Sequence, residues 1–272
     1  MKTAKISTGE LAYIDRGARQ PILLVHGFPL DHTMWNEQIE ALSQHARVIA
    51  PDLRGFGRSP LGPVDPTRGI TMERYADDLA ELLDELKLGA DQPIMFVGLS
   101  MGGYIAWQFV RKYPERLRAL VLLDTRVLAD TDEARAGRLK MAGNVAEWGS
   151  GRVAEMMGPK LAALSTFQTQ PEVIAALRRV VENTSPAAIA AAQRGLAARP
   201  DMTSLLPKIT VPTLVIVGAE DAISPPAEMQ AIAAAIPNSQ FVIIPNAGHM
   251  TTMENPQAVN AALVRFIKGV SR

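Results

Sequence analysis

Apolar residues along the chain fall into short runs separated by longer amphipathic stretches. The runs Pro21–Val25, Arg47–Ala50, Pro93–Val97, Ala119–Leu123, Thr213–Val217 and Gln240–Ile244 are rich in Val, Ile and Leu. Continuous apolar runs of this kind predict strands buried on both faces. Before them, Lys2–Ile6 and Leu11–Asp15 flank Thr8-Gly9 and predict a leading hairpin. In the stretch Met72–Leu86, residues Met72, Tyr75, Ala76, Leu79, Leu82, Leu83 and Leu86 recur at three- and four-residue intervals. That spacing predicts a helix, with Thr71 as its N-cap. Further helices are predicted over Tyr104–Arg111 and, after the start signal Asn255-Pro256, over Gln257–Ile267. Strands alternating with helices predict an α/β fold, a mostly parallel eight-stranded sheet flanked by helices.

The rhythm breaks between about Arg126 and Pro207. This stretch is rich in Ala, Arg, Met and Glu, lacks β-branched runs and reads as wholly helical. So much helix between two strands is too long for an ordinary crossover, so it predicts an inserted helical cap. The expected organisation is a core of residues 1–125 and 208–272 with a cap over 126–207.

Charge narrows the function. The 28 basic side chains are matched by 28 acidic ones, and no dense Lys/Arg run occurs. Phosphate backbones demand a basic surplus or stripe, so neither nucleic acid nor an anionic membrane is an expected partner. No cysteine is present, which excludes disulfides, thiolate metal sites and a cysteine nucleophile. The first residues carry no apolar signal-like core, and no apolar stretch is long enough to span a bilayer. The expectation is a soluble cytoplasmic protein acting on a small molecule.

The chemistry centres on Gly98-Leu99-Ser100-Met101-Gly102-Gly103, between a predicted strand and a predicted helix. A serine on a sharp strand-to-helix turn needs small residues two positions away on each side, and Gly98 and Gly102 meet that need. Such a turn exposes the hydroxyl beside helix N–H groups able to hold an oxyanion. A base is required, and His249 in Asn246-Ala247-Gly248-His249 follows the strand Gln240–Ile244 at the same sheet edge. Asp221, after Thr213–Val217, is expected to orient that imidazole; Asp124, after Ala119–Leu123, is the competing acid. The oxyanion donors are expected to be the backbone N–H groups of Met101 and of Phe28 in His26-Gly27-Phe28-Pro29, since Pro29 has none. His26 reads as a loop brace.

Other segments read more plainly. Asp52-Leu53-Arg54-Gly55-Phe56-Gly57-Arg58-Ser59 lacks the third glycine and the helix of a dinucleotide fingerprint, and is expected to be a loop held by Asp52 and Arg54. In the cap, Trp148, Met157 and Leu161, with Met156, Leu164 and Phe167, are candidates for an acyl pocket; packing between cap helices is the alternative for each. No metal or organic cofactor is implied.

The order Ser100, Asp221, His249, with a helical insertion between Asp124 and Thr213, resembles the α/β-hydrolase superfamily over essentially the whole chain. The segments His26–Pro29, Pro51–Ser59 and Gly98–Gly103 are similar to those of small carboxylesterases, 3-oxoadipate enol-lactonases and cofactor-free haloperoxidases. Epoxide hydrolases and haloalkane dehalogenases share the His-Gly-x-Pro segment but carry an aspartate nucleophile at the elbow, so Ser100 argues against their reactions. The resemblance implies a carboxylesterase-type hydrolase cleaving small, partly apolar esters or lactones through an acyl-enzyme on Ser100. Alternatives with the same residues are enol-lactone hydrolysis, carbon–carbon bond hydrolysis of a diketone, and perhydrolase side activity. A receptor with a silent triad is the alternative of a different class. A carboxylate-bearing enol-lactone would require a cation at the pocket, for which Arg126, Arg135 and Arg138 are candidates.

Overall fold

The computed structural model describes residues 1–270. Eight strands form one sheet: β1 (Lys2–Ile6), β2 (Gly9–Arg16), β3 (Pro21–Val25), β4 (Arg47–Pro51), β5 (Ile94–Leu99), β6 (Leu117–Leu123), β7 (Thr213–Gly218) and β8 (Ser239–Ile244). Their order is β1-β2-β4-β3-β5-β6-β7-β8. The β1–β2 and β2–β4 pairs are antiparallel, and every other pair is parallel. All six strands from β3 to β8 therefore end at one edge, which gathers the loops after β3, β5, β6, β7 and β8.

Helices α1 (Asn36–Leu42), α2 (Met72–Glu85) and α3 (Met101–Lys112) lie in the first half of the chain. Between β6 and β7 come α4 (Asp132–Leu161), α5 (Leu164–Thr169), α6 (Pro171–Asn183) and α7 (Pro186–Ala197). The chain closes with α8 (Pro226–Ala235), α9 (Thr251–Glu254) and α10 (Pro256–Val270). Helix α2 packs on α3, and α1 on α10. Strands β3, β5 and β7 are buried at every position, as their unbroken apolar runs predict. Helix α2 starts as expected, with Thr71 Oγ1 accepting from the Arg74 N–H.

Two expectations need correction. Strand β8 is only half buried, with Ile243 48% exposed, because it is the sheet's edge and has a neighbour on one side alone. Helix α3 begins at Met101 rather than Tyr104, so no loop separates strand from helix at Ser100. Glycine disfavours helix by about 1 kcal/mol, which is why the sequence pattern stops short. Glycine is nonetheless required there: a Cβ on Gly102 would lie 2.2 Å from the Val25 carbonyl oxygen, and one on Gly103 would lie 2.3 Å from Thr125 Oγ1.

The segment between β6 and β7 holds helices and turns only, and α4 packs along α6 and α7. Thr131 caps α4 through the Ala134 N–H, and Gly149, at φ 73°, breaks it into two helical pieces. Among the described residues, no helix is long and apolar enough to cross a membrane.

Candidate active site

The serine turn is built from the backbone outward. Ser100 has φ 52° and ψ −112°, a region that side-chain-bearing residues seldom occupy and that costs on the order of 1–3 kcal/mol. Its N–H donates to the Leu123 carbonyl at 2.9 Å, and Thr125 Oγ1 donates to its carbonyl at 2.8 Å. The flanking glycines are a steric requirement: a Cβ on Gly98 would stand 2.4 Å from the Gly102 carbonyl oxygen. The β3 loop lies against the turn, since a Cβ on Gly27 would be 3.4 Å from that of Ser100. Met101 is the first residue of α3, where N–H groups have no intrahelical acceptor.

His249 bridges the serine to an acid. Its Nε2 lies 2.9 Å from Ser100 Oγ and its Nδ1 lies 2.9 Å from Asp221 Oδ2. The other Asp221 oxygen accepts from the N–H groups of Ile223 at 2.8 Å and Ser224 at 3.0 Å, so this carboxyl serves as an acceptor throughout. The imidazole proton therefore sits on Nδ1, leaving Nε2 to accept from the serine hydroxyl. His249 and Asp221 are buried, whereas Ser100 is only partly so.

Asp124, the competing acid, is occupied elsewhere. It accepts from the Gly218 N–H at 2.9 Å and from Thr251 Oγ1. Burial, reinforced by the charge of Asp221, pushes its carboxyl well above the ordinary carboxylate range. It ties the end of β6 to the end of β7 and to the residues after His249.

His26 is buried between the Leu53 N–H, which donates to its Nε2 at 2.9 Å, and the Gly27 carbonyl, 2.9 Å from its Nδ1. Burial pushes its pKa down, so it stays neutral and braces the β3 loop. Asp52 accepts from the N–H groups of His32 and Arg58 and from His32 Nδ1, while Arg54 is paired with Asp78. This segment is the braced loop that its sequence suggests.

The cap candidates scatter. Trp148 and Met156 line a groove along α4 with Lys140, Met141 and Arg152, and this groove includes none of Ser100, Asp221 and His249. Leu161 is buried and, with Phe167, Leu177 and Val181, lines a small space between cap helices. Met157 packs at the edge of the core, and Leu164 is 78% exposed. An amphipathic stripe shows that a helix has an inner face but not what that face meets. A cleft of about 500 Å³ instead runs between α6 and the loop beyond Phe28. It is lined by Leu30, Met34, Val173, Leu177, Val180 and Met253 among others, with Asp31, Glu37, Glu172 and Arg179 also at its walls. Of the candidate cations, Arg126 pairs with Glu228, Arg138 pairs with Asp130, and Arg135 is exposed.

One buried residue has no counterpart in the sequence reading. Glu254, in α9, accepts from the N–H groups of Gly248 and Met250, on either side of His249. The available signal is modest, a glutamate five positions after the histidine.

Residues 20–256 match the family model described as the alpha/beta hydrolase fold. The chain belongs to this family. A thermophilic esterase from Thermogutta terrifontis is 49% identical, with a TM-score of 0.94 and 99% of each chain covered. An enol-lactonase from Burkholderia xenovorans LB400 is 29% identical, with a TM-score of 0.89, covering 98% of this chain and 100% of that one. A bromoperoxidase from Bacillus anthracis is 26% identical, with a TM-score of 0.83, covering 98% and 99% respectively.

Proposed function

We propose that this hydrolase is a serine esterase whose nucleophile is Ser100, activated by His249 and Asp221. The observation that carries the reading is the continuous hydrogen-bonded chain from Ser100 Oγ through both imidazole nitrogens to Asp221, 2.9 Å at each step. As Ser100 Oγ attacks an ester carbonyl carbon, its proton passes to His249 Nε2. The carbonyl oxygen becomes an oxyanion facing the N–H groups of Met101 and Phe28. The carbon–oxygen bond to the alcohol then breaks, and His249 returns the proton to the departing alkoxide. Water next gives a proton to His249 and attacks the acyl carbon, releasing the acid and restoring the Ser100 hydroxyl. Asp221 holds the imidazole in the tautomer this sequence of steps needs and stabilises its charged form.

The helical stretch 126–207 acts as a cap on this edge of the sheet. Small, partly apolar acyl esters or lactones are the proposed substrates, in keeping with a chain of no net charge. The likeness to an esterase at 49% identity supports ester hydrolysis as the reaction.

The test pairs p-nitrophenyl acetate hydrolysis with fluorophosphonate labelling. Wild type should turn over the ester and carry the label on Ser100, and Ser100→Ala should lose both. Turnover that survives Ser100→Ala, or a label mapped to another residue, overturns the reading.

A further inference from the structure

We infer that Glu254 is a positioning residue for His249, and that it locks the histidine loop to the helical segment between β6 and β7. The inference rests on the serine-esterase reading above, and it concerns a group that does not touch the reacting atoms.

Both carboxylate oxygens of Glu254 are fully used, and they face two different parts of the chain. Oε1 accepts from the Gly248 N–H and the Met250 N–H, each at 3.0 Å. These amides flank His249, so one oxygen fixes the peptide planes on either side of the imidazole-bearing Cα. Oε2 accepts from the Ala163 N–H at 2.7 Å and from Thr166 Oγ1 at 2.6 Å, where the chain leaves α4 and begins α5. Glu254 is 4% exposed and Thr166 is fully buried, so no solvent competes for these bonds. Bonds from buried donors to a carboxylate are among the stronger ones in a protein.

The backbone packing agrees. A Cβ on Gly248 would fall 2.6 Å from the Ala163 nitrogen, and one on Gly218 would fall 2.0 Å from the Gly248 carbonyl oxygen. The histidine loop is thus pressed between the end of β7, where Asp221 departs, and residues 162–163. On the same short helix, the Glu254 carbonyl accepts from Gln170 Nε2 at 3.0 Å, a second link to the helical segment. The imidazole must hold both 2.9 Å contacts at once, and a drift of about an ångström in its loop breaks the proton path from Ser100.

Glutamine is the informative replacement. Its single carbonyl oxygen can serve one pair of donors, and its NH2 group must then face the other. Turned toward Gly248 and Met250, the NH2 would oppose two N–H groups. Turned toward Ala163 and Thr166, it opposes one and can donate to the Thr166 hydroxyl. The Glu254→Gln variant should therefore keep the oxygen on the histidine loop and lose the link to Ala163.

The experiment measures kcat and KM for p-nitrophenyl acetate on folded enzyme, for Glu254→Ala, Glu254→Gln, His249→Ala and the double variant Glu254→Ala/His249→Ala. Glu254→Ala should lower kcat by about 10- to 100-fold with KM changed less than about threefold, as for loss of alignment rather than binding. Glu254→Gln should recover part of that loss and still fall at least about fivefold short of wild type. In the His249→Ala background, Glu254→Ala should change the residual rate less than about twofold, because a residue that acts through the imidazole has nothing left to position. An additive effect in the double variant, or a Glu254→Gln kcat within about twofold of wild type, overturns the proposal. If Glu254→Ala does not fold, Glu254→Gln decides alone. Should His249→Ala itself keep full turnover, the esterase reading fails first, and that outcome is distinct from full turnover in the Glu254 variants alone.

Discussion

Asp124 and Asp221 leave adjacent strands at the same edge of the sheet, yet of these two acids it is Asp221 that bonds to His249. The difference lies in what each carboxylate already holds. Asp221 gives one oxygen to the turn amides of Ile223 and Ser224 and keeps the other for the imidazole. Asp124 has both oxygens committed, to Gly218 and Thr251.

Replacing the two acids should therefore give unequal results. Asp221→Asn should lower kcat by about 10³- to 10⁴-fold, since an amide can no longer hold the tautomer that frees Nε2. Asp124→Asn should stay within about tenfold of wild type, because Asn can still accept from Gly218 and face the Thr251 hydroxyl. Ester hydrolysis under saturating substrate makes the comparison, and a larger loss in Asp124→Asn would exchange the two roles.

Asp124 also predicts a pH-dependent stability. Its folded pKa is raised above the unfolded value of 3.8, so folding favours its protonated form. That contribution is complete below the unfolded value and is lost as pH rises toward the raised folded value. Asn cannot ionise, so the melting temperature of Asp124→Asn, relative to wild type, should climb as pH is raised from about 4 toward about 8. A difference that is flat across this range would show that Asp124 carries no such burden.

At the serine turn, Gly98→Ala should destabilise the protein by about 3 kcal/mol, at the upper end for an added methyl group. The atom it meets is the Gly102 carbonyl oxygen at 2.4 Å, part of the backbone and unable to swing away. Urea unfolding measures the loss; a change within about 0.5 kcal/mol would mean that the turn is looser than its packing.

The buried pair below the β4 loop should respond asymmetrically. Arg54 Nε lies 3.0 Å from Asp78 Oδ2, both side chains nearly inaccessible, and Asp78 is also held by Arg74 and Thr8. Asp78→Leu leaves the buried Arg54 charge with no carboxylate and only the Pro63 carbonyl to donate to, and should cost about 3–5 kcal/mol. Arg54→Met leaves Asp78 with its two other partners and should cost less. Denaturant midpoints of the two variants settle the order, and equal losses would refute it.

Legibility follows the range of the constraint. The serine turn is local: a strand, five residues and a helix carry the steric need for Gly98 and Gly102, so the motif reads directly from the chain. Helix α2 is similar, with its periodicity and Thr71 cap within one segment. Even here the start of α3 escapes local reading, because the close approach that requires glycine at 102 and 103 comes from Val25 and Thr125, outside the motif. The exposed face of β8 escapes it for the same reason, since an edge strand is defined by the neighbour it lacks.

What the sequence by itself determined is the layered α/β architecture, the serine turn, and the residue types able to complete a relay at one sheet edge. Those follow from hydrophobic periodicity and from steric rules acting over a few residues. Only the tertiary structure decided which acid faces His249, because that depends on how Gly218 and Thr251 occupy Asp124. Only it revealed Glu254, whose donors at 163, 166, 248 and 250 come from two distant segments. And only it set Trp148 and Met156 along a groove on α4, since a helix's apolar stripe records that something is buried against it and never what.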